Sequence, residues 1–83
     1  MTASASGELL RELEELVRRQ LIWHDQQRVR AWEQRARRSD SPLLRAAAGT
    51  LLEMLREASD PAARRAVAGE TLRATARLRT QIQ

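Results

Sequence analysis

Apolar residues recur at Leu9, Leu10, Leu13, Leu16 and Val17, a spacing that lines one face of an α-helix. The positions that would carry this face onward are Gln20, Trp23, His24, Gln27, Ala31 and Gln34, so the stripe turns polar. A second stripe of Leu21, Ile22, Val29, Trp32 and Ala36 opens on nearly the opposite side. No glycine or proline interrupts the chain between Gly7 and Pro42, and the acid-first pairs Glu14–Arg18, Glu15–Arg19 and Glu33–Arg37 favour helix throughout. The pattern predicts one continuous helix over about 6–38, capped by Ser6 with Glu8 in its first turn, whose two halves bury different faces.

Ser41-Pro42 then reads as an N-cap followed by a first-turn proline, and Asp60-Pro61 repeats that punctuation. Between them the positions Leu43, Leu44, Ala47, Ala48, Leu51, Met54, Leu55 and Ala58 form a broad apolar face, giving a second helix over about 42–58. The third, over about 61–80, has a narrow face of Ala63, Val67, Thr71, Ala74, Leu78 and Ile82. Its alanines permit close approach but contribute little hydrophobic stabilisation. With no strand-like alternation and no internal repeat, the expectation is an all-α, three-helix chain, 1–83 forming a single helical domain with residues 1–5 frayed.

Lengths give that reading a consequence. At 1.5 Å per residue the three helices measure about 48, 24 and 30 Å. Short linkers fold the second and third into an antiparallel hairpin against residues of about 21–37, so residues 7 to about 18 project beyond it. A projecting segment with Leu9, Leu10, Leu13, Leu16 and Val17 in water is an interface, extended by Gln20 and by Trp23, which continues the Leu9–Leu16 row. Trp32, flanked by Val29 and Ile22, reads as core. The expected assembly is a dimeric helical bundle, with the polar row Gln20, Gln27 and Gln34 setting coiled-coil register. The bland alternative is that helices two and three each cover one half of helix one within a monomer.

Composition supports association and argues against chemistry. Eighty-three residues lie near the lower limit for a self-sufficient core, and fourteen of the 35 hydrophobic residues are alanine. There is no cysteine, hence no disulfide or thiolate site, and His24 has Gln20, Gln27 and Arg28 rather than metal ligands at helical spacing. The glycines at 7, 49 and 69 are isolated, so no phosphate loop is present, and no carboxylates are paired by periodicity. No enzyme activity, cofactor or small-molecule substrate is expected.

No apolar window approaches a membrane span and no signal-peptide pattern precedes Leu9, so a cytoplasmic protein is expected. Fifteen arginines without a single lysine point to a GC-rich coding bias, as in a bacterium or its phage. The net charge of +4 permits nucleic-acid binding. Arginines concentrate in residues 25–38 and 61–83, which the hairpin would place side by side. The function expected is a non-enzymatic protein-binding module, an adaptor, inhibitor or accessory subunit. The alternative is a dimeric nucleic-acid-binding regulator contacting phosphates through Arg28, Arg35, Arg38, Arg73 and Arg77.

Overall fold

The structure, a computed structural model, describes residues 5–82. Of the expected frayed segment, residues 1–4 lie outside the described residues, and Ala5 already belongs to a helix. The described chain is all-helical: α1 (Ala5–Arg18), α2 (Leu21–His24), α3 (Gln26–Arg37), α4 (Pro42–Glu57) and α5 (Pro61–Ile82).

The continuous first helix does not form. Gln20 takes φ 61°, in the left-handed region, and the chain turns there. The end of α1 closes with Arg19 N donating to Glu15 O at 3.0 Å and Gln20 N to Val17 O at 3.1 Å. A single turn, α2, follows. Asp25 ends it by donating its N–H to Leu21 O at 2.8 Å, then caps α3 by accepting Arg28 N on Oδ1 at 3.2 Å. Two breaks therefore occupy residues 19–25 without any glycine or proline.

Burial explains why. A left-handed residue other than glycine costs about 1–2 kcal/mol, whereas covering one leucine-sized side chain is worth about 1.5–3 kcal/mol. Turning at Gln20 lets α1 bury Leu9, Leu10, Leu13, Leu16 and Val17, all at most 4% exposed, on the same core that takes Ile22, Val29 and Trp32. A straight rod would leave one of these two sets in water. The folded molecule measures 40 × 24 × 21 Å, too short to contain a helix of about 48 Å.

α1 packs against α3 and α5, and α4 against the same two, so the four long helices surround one core with α3 and α5 on a diagonal. Successive long helices alternate in direction. Side-chain links mark each seam. Ser6 Oγ lies 2.9 Å from Ser39 Oγ, and Trp32 Nε1 donates to Leu9 O at 2.7 Å across α1 and α3. Glu33 holds Arg56 at 3.1 Å across α3 and α4. Glu14, 4% exposed, holds Arg79 at 3.1 Å and accepts from Thr75 Oγ1 at 2.9 Å across α1 and α5. The expected Glu14–Arg18 pair is absent because Glu14 faces α5; Glu15–Arg19 and Glu33–Arg37 do form, at 3.1 and 3.2 Å. Ser6, expected as the N-cap, lies within α1.

The starts of α4 and α5 follow their caps, with Ser41 Oγ accepting Leu44 N at 3.2 Å and Asp60 Oδ1 accepting Ala63 N at 2.8 Å. The buried face of α4 is rotated from the expected one. Leu52 is fully buried, and Leu43 is 47% exposed. Helix α5 buries completely only Thr71 and Thr75, whose hydroxyls bond to carbonyls of their own helix, Val67 O at 2.8 Å and Leu72 O at 2.9 Å.

The turn at Gln20 has a signature of opposite sign to a helix interior. Gln20→Gly should stabilise the protein by roughly 0.5–1 kcal/mol in urea unfolding, because glycine adopts positive φ freely. In a continuous helix the same change would destabilise by about 1 kcal/mol.

Candidate functional site

The residues expected to meet a partner fall into two groups. Leu9, Leu10, Leu13, Leu16 and Val17 are not a projecting surface: α1 folds back and they form the inner wall of the monomer. That correction removes the physical basis for an interface on them. Gln20 and Trp23 stay accessible, Gln20 exposed and Trp23 half-buried. Trp23 ties three elements together, donating Nε1 to Leu55 O at 2.8 Å while the Arg64 guanidinium lies 5.3 Å from its ring centroid. Trp32 lies in the core, 2% exposed.

The arginines proposed for phosphate contact are not brought together. Residues 25–38 and 61–83 were expected side by side, but α3 and α5 lie across a diagonal with α1 and α4 between them. Arg28 pairs with Asp25 at 3.7 Å, and Arg35 grips Glu12 through both terminal nitrogens. Arg38 caps the end of α3, while Arg73 and Arg77 are exposed on α5. Two of the five are thus internally compensated, and the set is divided between opposite sides of the bundle.

Among the described residues no group of three or more His, Asp or Glu side chains gathers, and His24 is exposed at the end of α2. No described helix is long and apolar enough to cross a membrane.

The surface feature that the periodicity did not reveal lies between α4 and α5. A trough of about 580 Å³ is lined by Leu43, Ala47, Leu51, Ala74 and Leu78, with Arg77 as its sole charged residue. An adjoining hollow of about 400 Å³ shares Leu51, Ala74 and Arg77 and reaches Met54, Glu70 and Arg73. Leu43 is the one large apolar side chain that is exposed among the described residues. The trough exists because alanine faces alanine: Ala46 and Ala47 on α4 and Ala74 on α5 are too short to fill the seam. The sequence carried part of this signal, since the third helix has a narrow, alanine-rich face that cannot cover the broad face of the second.

A second concavity, of about 310 Å³, lies where α1, α2 and the start of α5 converge, and is lined by Val17, Arg18, Trp23, Arg64, Arg65 and Leu72 among others. It takes in the accessible residues Gln20 and Trp23. No sequence spacing connects these positions; the turn at Gln20 does.

Comparison with protein-family models, with curated proteins and with solved structures finds no match for this chain. The class defined by fold and surface is therefore a small all-helical protein whose described surface includes an apolar trough and a basic concavity.

The relocation of the leucines is directly testable. Leu13→Asp should abolish the cooperative thermal transition seen by circular dichroism, since an unpaired buried carboxylate costs several kcal/mol in a small domain. Folded monomers released from a larger assembly, read by size exclusion with full helicity, would contradict the placement of Leu13 in the monomer core.

Proposed function

We propose that this protein is a non-enzymatic helical binding module whose docking face is the α4–α5 trough, and that its occupant is an amphipathic helix of a protein partner with acidic residues along one flank. The observation that carries this reading is the exposed Leu43 at the end of an acid-free apolar trough. An exposed leucine beside an unfilled apolar seam gives a partner's apolar side chains a place to be buried, and a helix laid in an apolar groove is a recurring mode of recognition. Residues 43–54 of α4 span about 16 Å, room for about three turns of a partner helix.

Charge supports the acidic flank. Arg73 and Arg77 make no ion pair among the described residues, and the chain carries a net charge of +4. A second copy of this chain would bring another Arg77 to the trough, with Glu70 of the adjoining hollow as its nearest acid, a poorer charge match than an acidic helix. For that reason the homodimer is the less favoured occupant.

Selection of helical peptides against the full chain tests the proposal. The expected binders carry apolar residues at i, i+4 and i+7 with Asp or Glu beside them, and Leu43→Asp or Arg77→Glu weakens them about tenfold or more. Binders indifferent to both substitutions contradict the reading. So does a dimer in sedimentation that Leu43→Asp dissociates, because the occupant would then be a second copy.

A further inference from the structure

The basic concavity at the other end of α5 carries an inference independent of the trough. Three arginines, Arg18, Arg64 and Arg65, line it together with Gln20, Trp23 and an apolar wall that includes Val17, Ala68 and Leu72, and no acidic residue lines it. Six of the chain's other arginines, Arg19, Arg28, Arg35, Arg37, Arg56 and Arg79, each face an acid. Here Arg18 and Arg65 have no ion-pair partner among the described residues. Asp60, close in sequence, is engaged in capping α5 through Ala63 N.

Two further observations make this a prepared site rather than a scatter of surface charge. Arg64 is held in place, its Nε donating to Ala58 O at 3.2 Å and its guanidinium carbon 5.3 Å from the Trp23 ring centroid, and among the described residues its terminal nitrogens have no hydrogen-bond partner. In addition, Arg64 and Arg65 occupy the beginning of α5, a helix of 22 residues with no acid in its first turn. Cations at that end oppose the helix dipole, which the capping carboxylate of Asp60 offsets in part and an anion in the cleft would offset further.

We infer that the cleft formed by Arg18, Arg64, Arg65 and Trp23 binds a small organic phosphate monoester, its phosphate taken by the guanidiniums and its organic part resting on Val17, Leu72 and the tryptophan edge. Guanidinium forks match phosphate oxygens in pairs. Three positive charges suit a group of about −2 better than a singly charged carboxylate. A volume of about 310 Å³ sits at the small end of the range for ligand sites, which fits a phosphate bearing one ring or a short chain rather than a larger ligand.

The test uses the full chain, labelled with ¹⁵N, titrated at constant ionic strength with phenyl phosphate, inorganic phosphate, benzoate and phenol. Phenyl phosphate should shift the Trp23 indole and Arg64 Nε resonances saturably, with inorganic phosphate and benzoate each binding about tenfold or more weakly and phenol leaving the signals in place. Arg18→Gln and Arg65→Gln, both at exposed positions, should each weaken phenyl phosphate about tenfold while the Trp32 indole resonance and the melting temperature stay unchanged. The inference is overturned if shifts fail to saturate, spread evenly over all arginines, survive both substitutions, or are matched by inorganic phosphate at equal affinity.

Discussion

The whole structure depends on one conflict between backbone and side chains, resolved at Gln20. Residues 9–17 and 21–36 present apolar stripes on nearly opposite faces, and no straight helix can bury both in a bundle this small. The chain accepts a left-handed glutamine and a one-turn helix, and in return both stripes enter one core. The pair of tryptophans follows the same logic. Trp32 closes the centre by donating to the Leu9 carbonyl, and Trp23, carried round by the turn, braces the ends of α4 and α5. Neither indole nitrogen is left without a partner.

The second constraint is the composition of α5. A helix of 22 residues that buries only two threonines completely cannot be held by hydrophobic area alone. Its attachment to α1 is reinforced by Glu14, nearly inaccessible to solvent, which binds both Thr75 and Arg79. Removing one side of a buried polar link of this kind leaves the other unsatisfied, so the link fixes how α5 docks more than it adds to net stability. On the side facing α4 the same alanine-rich helix leaves the seam open. Tight register on one flank and an unfilled trough on the other thus arise from a single sequence feature, and the trough is the surface on which the protein-binding proposal rests.

Much of the architecture was legible in the sequence. All-helical content, the caps at Ser41 and Asp60 and the burial of Trp32 follow from periodicity and turn chemistry. The break at residues 19–25 is present in the pattern as a change of face, but neither glycine nor proline, the strongest local markers of a turn, occurs there. Asp25 is the local sign of the break: an Asx residue preceding Val29 and Trp32 suits a helix start, and its side chain caps α3. An unbroken helix would make the leucines project and set residues 25–38 beside 61–83, and the turn at Gln20 undoes both. The sites were less legible still. Arg18, Trp23 and Arg64 meet only through the turn, and Leu43 is exposed because α4 rotates towards Leu52, a choice made by its neighbours rather than by its own stripe.

The fold-back of α1 is the central claim, and the absence of cysteine makes it directly measurable. Spin labels on cysteines introduced at the exposed positions Glu8 and Asp40, diluted with unlabelled protein, report the distance between the start of α1 and the end of α3 by pulsed electron resonance. The folded-back chain, in which Ser6 and Ser39 touch at 2.9 Å, predicts a narrow distribution centred below about 20 Å once label length is included. A distribution centred at about 48 Å, the length of an unbroken helix between those positions, would contradict it.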